Sequence, residues 1–214
     1  MTNYLCQFLD WGLISYQDAY QRQKELVDKV SRNDPQKLIV CEHPAVLTCG
    51  RTSKPGNLLV NEEILKSRGI EVLRVDRGGD ITLHSPGQMV IYPIFDLNFY
   101  GRDLHVFLRK LEQVVIDLLS DFDIVAIRIP GKTGVWVGGK KIASIGIGVR
   151  KWVSFHGVGL NIDTELSLFS VMRPCGLDVE MTSLARIKAT SIDKIKLVSR
   201  LKENFRREFN LTFG

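Results

Sequence analysis

Residues 124–162 read IVAIRIPGKTGVWVGGKKIASIGIGVRKWVSFHGVGLNI. Four runs rich in Val and Ile, at 124–129, 134–137, 140–149 and 152–162, follow one another with short breaks. Their composition and spacing predict strands. Gly138-Gly139, between Val137 and Lys140, fits a two-residue hairpin turn in which both residues need positive φ. Part of the stretch, AIRIPGKT at 126–133, mimics a phosphate loop. A phosphate loop must open a helix whose first N–H groups hold the phosphates. Here Thr133 leads into an alternating hairpin, Ala126 replaces the first glycine, and Pro130 removes a donor. Nucleotide binding through this segment is not expected.

Helical patterns lie outside this block. Ser15 and Asp18 have capping-box spacing ahead of a stripe of Tyr16, Ala19, Tyr20, Gln23, Val27 and Val30. Asn61 and Gly69 bracket a short helix. Asp103 caps a long one with an apolar stripe of Leu104, Phe107, Leu108, Leu111, Val115 and Leu118. A last helix over 191–209 is expected to turn Ile192, Ile195, Val198, Leu201 and Phe205 inward. Further strands are expected in KLIVCEH, AVLTCG, IEVLRVD and QMVIYPIFDL. Adjacent strands with helices elsewhere predict an α+β fold with a mixed, largely antiparallel sheet and packed helices.

No linker or composition shift divides the 214 residues, so 1–214 is read as a single domain. No apolar run is long enough for a membrane span. The N-terminus lacks the basic and apolar regions of a signal peptide. Cys6, Cys41, Cys49 and Cys175 form no C-x-x-C pair, and no metal site is expected. All four are read as reduced thiols in a cytoplasmic protein. The net charge of +5 is concentrated toward 188–207, where a solvated helix face is the simplest reading.

Four stretches carry more chemistry than folding needs. RGGDITLHSPG at 77–87 combines Arg77, bare backbone and His84, and reads as a ligand site. In GGKKIASIGIG, Lys140 and Lys141 point to opposite faces of a strand. Periodicity leaves open which of them is solvated. In SFHGVGLNI, Gly157 and Gly159 mark either bulges or the close approach of a ligand or a backbone. RPCGL at 173–177 puts Cys175 on a punctuated loop. Its ordinary pKa near 8.5 leaves little thiolate, and a neighbouring ammonium such as Lys141 would raise that fraction.

Together with EHPAVLTCGR at 42–51, these stretches resemble the lipoyl(octanoyl) transferase family, in its order and spacing, over about 42–177. Ser85 stands where that family usually has glycine, and Gly159 where it often has alanine. The resemblance implies the fold shared by biotin and lipoate protein ligases. It implies octanoyl or lipoyl transfer from acyl carrier protein to a lysine of lipoyl domains, as the first step of endogenous protein lipoylation. The acceptors would be 2-oxoacid dehydrogenase complexes and the glycine cleavage H protein. It implies catalysis by Cys175, as the acyl-accepting thiol, and Lys141. Substrate-binding positions fall on Arg77, Gly78, Gly79, Asp80, Ile81, Thr82, Leu83 and His84, on Ser144, Ile145 and Gly146, and on Gly157, Val158 and Gly159. No cofactor, nucleic acid or membrane is expected to take part. The alternative on the same fold is an ATP-dependent lipoate or biotin ligase, which needs no nucleophilic cysteine. A tunnel of Val, Ile and Leu should hold the eight-carbon tail, at about 0.8 kcal/mol per buried CH₂.

Overall fold

The computed structural model describes residues 3–173 and 179–214. Its main body is an eight-stranded sheet. In chain order the strands are β1 (Tyr4–Leu13), β2 (Gln36–Glu42), β6 (Gln88–Ile94), β7 (Ile127–Ile129), β8 (Lys132–Val137), β9 (Lys140–Arg150), β10 (Val153–Asn161) and β11 (Leu211–Phe213). Their spatial order is β11-β1-β2-β6-β10-β9-β8-β7. The two pairings of β1 are parallel and the remainder antiparallel. A second sheet has the order β4-β3-β5, from β3 (Val46–Cys49), β4 (Glu71–Arg74) and β5 (Ile81–His84).

Helices cover both faces of the large sheet. On one face lie α3 (Leu104–Ser120) and α5 (Lys194–Phe209), packed against Leu38, Val40, Ile91 and Leu160. On the other lies α1 (Tyr16–Val30), against Ile39, Cys41, Val90 and Tyr92. Alternate residues of β2 therefore enter different cores, which explains why LIVC is apolar throughout. A third core joins the small sheet to α2 (Glu62–Ser67) through Leu47, Leu65, Ile81 and Leu83. A short helix, α4 (Leu184–Lys188), precedes α5.

Local signals hold where their geometry is local. Ser15, Asn61, Asp103 and Asp193 cap their helices by accepting backbone N–H bonds. Gly138 and Gly139 have φ of 55° and 80°, as the hairpin requires. Thr133 continues into β8, so the phosphate-loop mimic is a strand, a turn at Gly131 and a second strand. Two stripe positions need correction. Ile195 is 86% exposed, because α5 starts only at Lys194 and its buried face runs through Leu197, Leu201, Phe205 and Phe209. Leu104 is likewise exposed, at the first turn of α3. No strand is expected at 4–13 from sequence, yet β1 forms there between β2 and β11.

Candidate active site

The site lies where the small sheet docks on the middle of β9 and β10. Gly146 pairs with Gly157, and Ser144 with Gly159, so the ladder is bare at that point. The turn before β5 reaches it when Gly78 N–H donates to Ile147 O at 2.7 Å. Arg77 holds the turn in place. Its guanidinium donates to Thr48 O at 2.7 Å, to Thr48 Oγ1 and to Gly78 O. Gly50 is bare where this turn crosses it: a Cβ there would stand 2.3 Å from Gly79 O.

The resulting cavity is lined by Arg77, Gly79, Asp80, Ile81, Thr82 and His84 from one side. Lys141, Ser144, Ile145, Gly146, Gly157, Val158 and Gly159 line the other. Leu83 instead points into the small-sheet core. Gly78 faces an outer groove that shares Gly79, Asp80, Lys141, Ile145 and Gly146 with the cavity. Lys141 thus stands between the two spaces. It is only 2% exposed, while Lys140 pairs with Glu180 near solvent. Lys141 N–H donates to Glu180 O, and Lys141 O accepts from Thr182 N–H. Its Nζ lies 5.5 Å from the centre of the Trp136 ring. Cys175 lies outside the described residues. On the near side of it, Arg173 N–H donates to Asn57 O at 2.8 Å.

Residues that the motifs do not single out complete the wall: Tyr16, Val90, Tyr92 and His156. Where an aliphatic tunnel is expected, the cavity wall carries as many ring side chains (Tyr16, His84, Tyr92, His156) as aliphatic ones (Ile81, Val90, Ile145, Val158). These rings satisfy one another. Asp76 is held down to about 2, first by its bond with His156 and then with Tyr20. It is a carboxylate at neutral pH, so His156 Nε2 donates to it at 3.0 Å. His156 Nδ1 then accepts from Tyr16 OH at 3.1 Å. His43 Nδ1 donates to Ile14 O, leaving Nε2 to accept from Tyr92 OH at 2.7 Å. His84 Nδ1 donates to Gln88 Oε1 at 2.6 Å, since the Gln88 amide nitrogen is used by Leu83 O and Asn161 Oδ1. Burial lowers the pKa of all three histidines, that of His84 to about 3. Burial also raises Tyr16 and Tyr92. A wall of paired, neutral rings offers apolar faces although its residues are polar. Only the helix stripe could have flagged Tyr16, and only the glycine that follows it, Gly157, could have flagged His156. His156 has φ of 57°, a strained value for a non-glycine residue and one found at functional sites.

The glycines of β10 serve more than one end. A Cβ at Gly157 would lie 2.1 Å from Ile91 O, so this glycine is required by a neighbouring backbone. At Gly159 a Cβ would meet Gln88 Oε1 at 2.8 Å and His84 Cε1 at 3.4 Å. Cys6 and Cys41 are buried, and desolvation pushes the Cys6 thiol up to about 12 and raises Cys41 as well. Cys49 is raised too, again chiefly by desolvation. None of the three has the surroundings of a reactive thiolate.

Residues 15–206 match the lipoyl protein ligase A/B catalytic domain model. The octanoyltransferase of Solibacter usitatus (strain Ellin6076) is 42% identical over 210 residues, which cover 97% of this chain and 93% of that protein. Among solved structures, lipoate-protein ligase A bound with ATP superimposes with a TM-score of 0.74 at 16% identity, over 100% of this chain and 88% of that one. Biotin protein ligase from Aquifex aeolicus does so at 0.53 and 12%, over 98% and 70%. The expected α+β architecture is thus that of the biotin and lipoate protein ligases.

Proposed function

Since the chain belongs to the lipoyl protein ligase A/B catalytic domain family, and within it to the octanoyltransferases, which are acyltransferases of lipoylation, we propose how it carries the acyl group. The donor is octanoyl-acyl carrier protein, and the acceptor is a lysine of a lipoyl domain. Cys175 holds the acyl group between them. In the first step the Cys175 thiolate attacks the donor thioester carbonyl. A new C–S bond forms, the bond to the carrier sulfur breaks, and the carrier thiolate takes up the proton that Cys175 gave to Lys141. In the second step the acceptor amine attacks the Cys175 thioester. A C–N bond forms, the C–S bond breaks, and the proton lost by nitrogen returns to sulfur by way of Lys141. A thioester is already activated, so transfer to an amine runs downhill without ATP.

The observation that supports this most is the placement of Lys141. It is buried, it borders both the cavity and the groove, and its backbone is paired with Glu180–Thr182, just beyond the RPCGL loop. The neutral rings in the cavity wall match the apolar character of an alkyl tail, and the groove gives access to a partner's arm. The name of the 42% identical relative favours transfer over ATP-dependent ligation. Intact-mass analysis after mixing with octanoyl carrier protein, without ATP, tests the reading. One octanoyl adduct is expected on the wild type and none on Cys175→Ala. Lys141→Ala should slow adduct formation by about 10²-fold or more. An adduct formed at wild-type rate by Lys141→Ala, or acylation only from free octanoate and ATP, would overturn it.

A further inference from the structure

Lys141 occupies a slot made by Gly134 of β8. A Cβ built on Gly134 would stand 2.6 Å from Lys141 Cε, 3.3 Å from Lys141 Nζ and 2.6 Å from Ala143 O. Any side chain at 134 would displace the lysine stem, since the Ala143 carbonyl closes the other side. Gly134 has φ of +129°, open only to glycine without strain. Immediately after it the β8–β9 register shifts, between Val135 opposite Ala143 and Trp136 opposite Lys141. Irregularities of this kind re-aim side chains beside active sites.

Behind Gly134 stands Glu112 of α3, which is 0% exposed. Its Oε1 accepts Gly134 N–H at 3.0 Å. Its Oε2 accepts Arg109 Nη1 at 2.6 Å and Arg128 Nε at 3.1 Å. A carboxylate buried on the packed side of a helix is costly unless fully paired, and an aliphatic residue would stabilise the fold at least as well. What Glu112 does that an aliphatic residue cannot is to hold one backbone amide of β8, the amide of the residue that admits Lys141. Trp136, on the same strand, lays its ring beside the Lys141 ammonium.

We propose that Glu112 and Gly134 form a positioning device for Lys141: Glu112 anchors the Gly134 backbone, and the bare Gly134 Cα admits the lysine stem, so that its Nζ stands between cavity and groove. Both act through Lys141 and are positioning residues. The inference rests on the reading of Lys141 as the proton carrier of acyl transfer. Displacing such a group by about 1 Å costs on the order of 10²-fold in rate.

Steady-state transfer to a lipoyl domain, with kcat and KM measured separately, tests it. Gly134→Ala should lower kcat by about 10²-fold and change KM for the acyl donor by less than about three-fold. Gly138→Ala is the control for strain. Its φ is +55° and a Cβ there meets nothing within 4 Å, so it should lower the melting temperature yet leave kcat within about two-fold. Glu112→Gln keeps shape and a carbonyl acceptor and should lose less than about ten-fold in kcat, whereas Glu112→Leu should approach Gly134→Ala. Wild-type kcat in Gly134→Ala, or an equal loss in Gly138→Ala, overturns the proposal. If Gly134→Ala does not fold, the Glu112 pair decides, and equal kcat in the Gln and Leu variants overturns it. Lys141→Ala separates the two readings. If it is slow while Gly134→Ala and Glu112→Leu are fast, only the positioning device fails. If it too is fast, the role of Lys141 fails.

Discussion

The cavity on one side of Lys141 and the groove on the other contain similar residue types in opposite states. In and behind the cavity wall, His84, His156, Tyr16 and Tyr92 are buried and bonded to one another or to His43, Asp76 and Gln88. Most of their polar atoms are hydrogen-bonded, and burial favours the neutral rings. In the groove, Arg51, Lys54, His105 and Lys132 lie exposed around Leu104 and Leu108. Side chains of this kind cost little to keep charged in water and attract acidic surfaces from a distance. On the function proposed for Lys141, this difference would let one lysine serve an alkyl tail on the side of the neutral rings and a partner protein on the charged side.

Four measurements would break or sharpen this contrast, the largest effect first. Gly157→Ala should force β10 away from Ile91 O inside the cavity wall. A loss of about 1–3 kcal/mol is expected, or about 2–4 °C of melting temperature per kcal/mol in a chain of this size. Gly56→Ala, in the turn beside Lys54 and Asn57, meets nothing within 4 Å and should change stability by less than about 0.5 kcal/mol. Equal effects at the two sites would remove the tight packing claimed for the cavity.

The next is acid sensitivity. His43, His84 and His156 have depressed folded-state pKa values, so the unfolded chain binds protons first as pH falls. Their contribution to stability is complete above the unfolded value of about 6.5 and is lost on acidification, for His84 down to about 3. Between pH 6.5 and 5, His84 alone should cost about 2 kcal/mol, read from urea midpoints. A flat profile over that range would mean that the rings are not held neutral.

On the groove side, reversing charge with Arg51→Glu and Lys54→Glu should raise KM for the carrier protein by about ten-fold at low salt. The effect should shrink at high salt while kcat holds. A salt-independent change would assign the two residues another role. The smallest effect concerns Ser85, which is buried and whose hydroxyl has no partner among the described residues. Ser85→Ala should gain up to about 1 kcal/mol in chemical denaturation, because it removes an unsatisfied group.

Much of the scaffold was legible because its determinants are neighbours in the chain. Helix caps at Ser15, Asn61 and Asp103, the Gly138-Gly139 turn and the close succession of strands at 124–162 all act over a few residues. The motif segments 77–84, 144–146 and 157–159 do meet at one cavity, apart from Gly78, which faces the outer groove, and Leu83, which strand alternation turns into the small-sheet core. β1 escaped notice because its place in the sheet is set by strands distant in the chain, β2 with Cys6 opposite Gln36 and β11 with Tyr4 opposite Leu211. Glu112 escaped because a single acid within an apolar helix reads as a solvated position until Gly134 and Arg128 are seen beside it.

By itself, then, the sequence determined most of the strand and helix pattern, the Gly138-Gly139 turn, the misfit of residues 126–133 to a phosphate loop and the family resemblance, all of which follow from short-range sterics and recurring motifs. Only the tertiary structure decided that Lys141 is buried while Lys140 is not, that Gly157 yields to a neighbouring backbone, and that His43, His84 and His156, from separate segments, gather around the Tyr16 ring. Those outcomes depend on which distant atoms arrive within a few ångströms, and spacing along the chain carries no record of that.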